Sequence, residues 1–489
     1  MGNFKLLKYW FQNDKETLSI DFLQPQQPYG GDLITTLLIG PNGMGKSFIL
    51  SQIAESFRWL DHLKKQKRGR FVLKNNWFQI TYKMNNDIYQ VEVQKKSVKL
   101  QKNKEKIEID NLKLPSNVLA LSYMSNDKFM FPNKKNDETY ELYKYLGLRD
   151  ASNVTFSNST IKKIVDNLSV ISIDKVRIDK LTETLEFLKL EPRVQICFEA
   201  QRRANTFFNS ILDNNEIEEL IKNIKETSDF RADKVKNWTR EKIDSLIHFI
   251  NVTVKNRLIS ITKQNTTLCY DIDLNDISNN INFVKDYEYL SALISLKYLR
   301  LPKLKIARKD LFDFEEASSG EKQFLFTTSQ LLANLQENSL VLLDEPEISL
   351  HPNWQLEYMN CLKKVFAGCH SHFIVATHSH FLISDLQPES SSIVSLNKGE
   401  YDTVESKLHD ENTFGWSVED VLYNIFGVYT TRNLYVAKRL DSYLQKISLD
   451  PEAITDEDVT EVRLIHNSLR AEDPLKFVTE KIIERLIVV

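Results

Sequence analysis

"LITTLLIGPNGMGKSFILSQIAESF", residues 33 to 57, runs from an apolar, β-branched stretch through a glycine-rich turn into an amphipathic segment. Residues 33 to 39 predict a buried strand, and Ile49, Leu50, Ile53 and Phe57 recur at helical spacing. Between them Gly40, Pro41, Asn42, Gly43, Met44, Gly45, Lys46 and Ser47 match the pattern G-x-x-x-x-G-K-[ST]. Glycines there permit backbone angles and close approaches that side chains forbid. Successive N–H groups then form an anion cradle at a helix N-terminus. Lys46 is placed to reach the β- and γ-phosphates of ATP, and Ser47 to ligate Mg²⁺.

Two further apolar strands complete this reading. "ENSLVLLDEPEISLHP" (337 to 352) carries Leu340 to Leu343, ending in Asp344-Glu345. Carboxylates at the C-terminal end of a central parallel strand emerge where open α/β sheets bind ligands. Asp344 is expected to hold Mg²⁺ and Glu345 to polarise the attacking water. "HFIVATHSHFLIS" (372 to 384) ends its apolar run at Thr377-His378-Ser379, so His378 is the candidate donor to a γ-phosphate. A fourth stretch, "ASSGEKQ" (317 to 323), is small and polar and opens a predicted helix.

GPNGMGKS, ASSGEKQ, LLDEPEISLHP and ATHSH, in that order, resemble the ATP-binding-cassette heads of the SMC, RecF and OLD group of ATPases. That resemblance implies an α/β fold: a P-loop head with a mixed parallel sheet. It implies a head-to-head dimer in which Ser318, Ser319, Gly320 and Glu321 form a signature that binds the γ-phosphate held by the partner head. Ser349 and His351 occupy the D-loop position near the same interface. No clear Q-loop glutamine follows the pattern; Asn126 and Asp127 in "LALSYMSNDKF" are the positional substitutes. Trp10, Phe11 and Tyr29 are positional candidates for stacking on adenine. Secondary stretches such as "YELYKYLGLRD" and "FGWSVEDVLYNIFGVYTTRN" look like the PtuA family, ATPases of the Septu anti-phage systems and of some retrons. This narrower resemblance implies a separate HNH-type nuclease subunit as partner.

The rest of the 489 residues sets the organisation. Residues 1–148 are expected to form the first ATPase lobe with an antiparallel ribbon near 70–94, and 149–300 a mainly helical insertion. Within that insertion, strands are expected to return near 249 to 273 and a helix near 287 to 299. Residues 301–410 are expected to form the second lobe, with strand candidates "SSIVSL" and "YDTVES" after the His378 strand, and 411–489 a helical extension. In the extension, Leu422, Ile425 and Phe426 read as one apolar stripe, and Leu434, Leu440 and Leu444 mark the next helix. Heptads are not sustained, so no long coiled coil is expected. About 85 residues after the last head strand are too few for the Toprim nuclease domain of OLD proteins.

With 64 basic and 67 acidic residues, the net charge of −3 gives no general sign of nucleic acid binding. The 61 to 106 stretch nevertheless carries 13 Lys or Arg against 4 acids. It keeps open an alternative, a DNA-maintenance ATPase acting directly on nucleic acid. A nucleotide-switched scaffold with scarcely any turnover is another. The four cysteines show no paired spacing, which fits a reducing cytosol. Cys369-His370-Ser371-His372 lacks a second ligand pair for zinc, and Asp456-Glu457-Asp458 after Thr455 reads as a capped helix start. There is no signal-peptide pattern and no apolar run of membrane-spanning length, so a cytoplasmic protein without membrane contact is expected.

Overall fold

The computed structural model describes residues 3–12, 17–24, 29–65, 77–95, 97–124, 126–131, 142–149, 156–201, 219, 221–222, 225–226, 237–254, 267–383, 386–399, 403–409, 413, 415–427, 434–449, 455–469 and 473–488. Residues 70–76 of the expected ribbon, most of residues 217–226 in the expected helical insertion, Lys96, 428–433 and 451–454 lie outside them. By its internal contacts the chain divides into Met1–Phe414 and Gly415–Val489.

The first unit opens with β1 (Phe4–Gln12), β2 (Thr17–Asp21), β3 (Leu33–Ile39) and α1 (Lys46–Lys64). Next come β4 (Trp77–Met84), β5 (Asp87–Gln94), β6 (Ser97–Lys102), β7 (Glu105–Lys106), β8 (Val118–Ser122) and β9 (Tyr143–Tyr145). Strands β1, β2 and β4 to β7 form an antiparallel sheet whose β4 alternates strictly between half-buried and buried positions. One face of that sheet is therefore apolar and needs a cover. The cover is α1. Its Ile49, Leu50, Ile53, Ala54, Phe57 and Leu60 share one buried cluster with Phe4, Phe11 and Tyr82 of the sheet. The same cluster takes in Ile34, Leu38, Leu342 and Ile374, from strands on the other side of the helix.

Helices α2 (Phe156–Ile171) and α3 (Lys175–Phe187) follow, then β10 (Arg193–Glu199), α4 (Arg240–Phe249), β11 (Thr267–Asp273) and α5 (Ile277–Ser295). Residues 250–254 continue helically after α4, so the strand expected from 249 is confined to β11 among the described residues. The helix expected near 287 instead begins at Ile277, where Asp276 accepts the N–H of Ser278 at 3.0 Å as its cap. Strands β12 (Lys303–Arg308) and β13 (Asp310–Asp313) join β10 and β11 in a four-stranded antiparallel sheet. Cys197 and Cys269 lie directly opposite each other in it and are joined by a disulfide. The lack of paired spacing, read as fitting a reducing cytosol, is thus corrected: 72 positions separate the two cysteines, and only strand pairing brings them together.

The second half supplies α6 (Ser319–Asn334), β14 (Leu340–Asp344), α7 (Pro352–Val365), β15 (Ser371–Thr377), β16 (Ser391–Lys398) and β17 (Val404–His409). A seven-stranded sheet has the order β17-β16-β3-β15-β14-β8-β9, parallel throughout except for β17. Every residue of β3, β8, β14 and β15 is buried, which explains their continuous rather than alternating apolar character.

The second unit contains α8 (Val418–Asn424), α9 (Leu434–Leu449), α10 (Asp456–Ser468) and α11 (Pro474–Val488). Its small core joins Leu440, Tyr443, Val462, Ile465 and Ile482. Leu444, one of the leucines that mark α9 in the sequence, is 44% exposed, and the neighbouring Tyr443 is fully buried. Thr455 and Asp458 form a reciprocal capping box at the start of α10, and Asp458 also pairs with Lys446 at 2.8 Å. No described helix is long and apolar enough to cross a membrane.

His372 illustrates how the central sheet treats a polar side chain. Its Nδ1 accepts the N–H of Leu6 at 3.0 Å, and its Nε2 lies 2.8 Å from the Thr36 hydroxyl. Burial first, and the Lys5 charge second, push its pKa from 6.5 down to about 3. The unfolded chain therefore takes up a proton that the folded chain refuses. Stability from this group is complete above pH 6.5 and is lost as pH falls toward about 3, at up to about 1.4 kcal/mol per pH unit. Urea unfolding between pH 7 and 5 is expected to show this slope, and His372→Gln is expected to flatten it; equal slopes in both proteins would count against the assignment.

Candidate nucleotide-binding site

The parallel register sets four strand ends abreast: Thr377 pairs with Ile39, and Asp344 pairs with Ala376 on one side and Ser122 on the other. The loop from Gly40 to Gly45 leaves β3 at this edge. Gly40 has φ 153°, and a Cβ there would sit 2.6 Å from the carbonyl oxygen of Leu396. Gly45, at φ 81°, caps α1 and accepts the N–H of Ile49 at 2.8 Å. Because glycine brings no capping side chain, the first N–H groups of α1 remain available to an anion.

Lys46 turns back over the loop and donates to Gly40 O at 2.7 Å and Pro41 O at 3.3 Å. Its Nζ is also 3.3 Å from His378 Nδ1, and His378 Nε2 is 3.5 Å from Glu345 Oε1. Burial pushes the Lys46 ammonium down to about 8, opposed by the charges of Glu345, Asp344 and Glu347. His378 is held below its ordinary pKa by burial and by Lys46. Ser47 Oγ donates to Asp344 Oδ1 at 2.8 Å, while Asp344 Oδ2 is buried without a protein partner. Burial pushes the Asp344 carboxyl up to about 7. A hydroxyl and a carboxylate with one unused buried oxygen form a hard-oxygen donor set that fits Mg²⁺. Glu345 adopts the left-handed region at φ 49°, with its N–H fixed to Ala376 O at 2.9 Å. Pro41, Asn42, Gly43 and Met44 form the outer turn of the loop.

The signature residues open α6. Ser318 accepts the N–H of Glu321 at 3.2 Å and donates its own N–H to Glu321 Oε2 at 2.8 Å, a capping box that Arg308 reinforces by pairing with Glu321. Ser319 and Ser349 line one cavity of about 370 Å³ with Tyr123, Phe314 and Lys322. Ser349 itself lies at φ 68°. His351 caps α7, its Nδ1 accepting from Asn353 N at 3.3 Å.

Asp127, a proposed Q-loop substitute, is spent on a fork: Arg149 Nη2 at 2.6 Å, Arg149 Nε at 3.1 Å and the Tyr145 hydroxyl at 2.6 Å. Asn126 is exposed. Phe11 and Tyr29 are buried, and half-exposed Trp10 packs edge-on against Trp77. Within the basic stretch, Lys99 and Lys102 pair with Glu92 and Asp87, the behaviour of a solvated sheet edge. Sequence reasoning passed over Glu347, Gln323 and Gln355. Glu347 accepts from Thr377 and from the backbone of His378, Gln323 donates to Pro346 O at 2.6 Å, and Gln355 donates to Leu350 O at 2.9 Å. Their only signal was polar residues beside motifs.

A phosphate loop at the end of an interior strand of a buried parallel sheet, with a histidine and paired acids on the next strands, defines the ATP-binding-cassette type of P-loop ATPase head. The chain belongs to the family described as "AAA domain, putative AbiEii toxin, Type IV TA system", whose model matches residues 35–384. Among solved structures it is similar to the Smc head domain of Pyrococcus furiosus, crystallised with the C-terminal domain of ScpA: 13% identity, 83% of this chain, 96% of that one, TM-score 0.31. The SMC head domain of Thermotoga maritima matches at 11% identity, 83% and 100% coverage, and TM-score 0.34. Class and family rest on the site geometry and the family match, not on these distant likenesses. No curated protein matches the chain.

Gly320 is the tightest contact of the signature. A Cβ there would meet Ser349 O at 2.9 Å and the Trp354 ring at 3.2 Å. Gly320→Ala is expected to lower stability by about 1–3 kcal/mol through overpacking, measured by urea unfolding; a change below about 0.5 kcal/mol would show that the 349–350 turn yields freely.

Proposed function

We propose that this protein is a Mg²⁺-dependent ATPase that works as a head-to-head dimer and gates a separate HNH-type nuclease in anti-phage defence. The observation that carries the ATPase reading is the convergence of Lys46, Ser47, Asp344, Glu345 and His378 at one sheet edge. In this reading the loop N–H groups cradle the phosphates and Lys46 swings from the Gly40 carbonyl to the β- and γ-oxygens. Ser47 and Asp344 would hold Mg²⁺, which neutralises charge between those phosphates. Glu345 orients the attacking water and accepts its proton, while His378 donates to the γ-phosphate. The partner head presents Ser318, Ser319, Gly320 and Glu321 to the same phosphate, with Ser349 and His351 at the dimer seam.

The defence role rests on the PtuA-like stretches, and a family description that names toxin–antitoxin systems accords with it. Localisation in the cytoplasm belongs to the same proposal. The paired lysines of the basic stretch offer no particular support for the alternative of direct action on DNA.

Glu345→Gln is expected to keep ATP affinity within about threefold while turnover falls about a hundredfold or more; Lys46→Ala is expected to lose ATP binding. Equal turnover in Glu345→Gln and the native protein would remove Glu345 from the reaction. The wider proposal is tested by the solution mass of Glu345→Gln co-expressed with its genomic neighbours, with and without ATP. Copurification of a nuclease at fixed stoichiometry on an even number of ATPase chains supports it. A chain that purifies alone and dimerises only with ATP overturns the gating role.

A further inference from the structure

Glu347 lies two residues beyond Glu345 on the turn that follows β14, yet it faces away from solvent and is 7% exposed. Its Oε1 accepts two hydrogen bonds, from the Thr377 hydroxyl at 2.6 Å and from the backbone N–H of His378 at 2.9 Å. Thr377 Oγ1 in turn accepts the N–H of Ser379 at 2.9 Å. The Ser379 hydroxyl donates to Gln355 Oε1 at 2.6 Å, and the amide of Gln355 donates to Leu350 O. One connected set of bonds therefore runs from the turn after the paired acids, through the end of β15, to the turn carrying Ser349. Neither of these bonds reaches the phosphate loop. A buried carboxylate is costly to retain unless its bonds are needed.

We infer that Glu347 is the positioning residue that fixes the backbone of His378, and thereby sets its imidazole between Lys46 and Glu345, while Gln355 ties that arrangement to the 349–350 turn. This rests on the ATPase reading given above. The geometric reason is that the backbone bonds joining β14 and β15 run as far as the Glu345 N–H, which donates to Ala376 O at 2.9 Å. Past that bond the strand pairing ends, and across the remaining gap the Glu347 side chain holds Thr377 and the backbone of His378 to the turn after β14. Glu347 is the bridge across the gap. A shift of about 1 Å in a catalytic group costs as much as a hundredfold in rate, so the bridge governs turnover more than nucleotide affinity.

The test compares Glu347→Met, which removes the acceptor at similar volume, with Glu347→Gln, which keeps an acceptor oxygen. Glu347→Met is expected to lower kcat about tenfold or more with the Kd for ATP within about threefold, and Glu347→Gln to restore most of the turnover. A second readout needs no turnover: the NMR signal of the His378 ring, assigned through His378→Gln, is expected to move in Glu347→Met and to stay in Glu347→Gln. Unchanged kcat and an unmoved His378 signal in Glu347→Met overturn the inference. Loss of ATP affinity in step with kcat also overturns it, since that marks general damage to the site. If the native protein shows no hydrolysis but the His378 signal moves as expected, the ATPase reading fails and the positioning role stands.

Discussion

Asp344 is hydrogen-bonded in register between Ala376 and Ser122, and Thr377 is paired with Ile39, so four parallel strands finish on one line. A shift of any one strand by a single residue would turn its last side chain to the opposite face. Burial on both faces prevents such a slip, because a displaced strand would carry Asp344 or Thr377 into an apolar layer. The phosphate loop, the paired acids and His378 inherit their mutual distances from that register. The helix α1 then locks it from above, packed between the parallel sheet and the antiparallel one.

The electrostatics follow from the same burial. Lys46, Asp344 and Glu347 are all shielded from water, and each is pushed toward its neutral form. Fixed dipoles and opposite charges offset this only in part. A site with displaced protonation equilibria and an unused buried oxygen on Asp344 is arranged to receive charge, and a nucleotide with its cation supplies both signs. Glu345 in the left-handed region and Gly40 against Leu396 show backbone held in conformations that the surrounding packing imposes.

Much of this was legible in the primary structure because it is local. The loop from Gly40 to Ser47, the apolar runs of β3, β14 and β15, and the caps at Ser318 and Thr455 each depend on residues within a few positions of one another. Backbone angles, capping geometry and hydrophobic run length act over that range, so spacing alone reveals them. The antiparallel ribbon was readable for the same reason, from alternation in β4 and β5.

Tertiary structure alone decided what depends on which strands become neighbours. Nothing near Cys197 announces Cys269, since β10 and β11 must pair first. Asp127 looked free to serve the nucleotide until Arg149 and Tyr145 were folded against it. Glu347 looked like one more acid beside a motif, and its meaning appears only where β15 ends opposite it. The sequence by itself determined the chemical parts and the elements that carry them; the order β3-β15-β14-β8 decided their distances, because hydrogen-bond ladders between remote segments have no short-range signature.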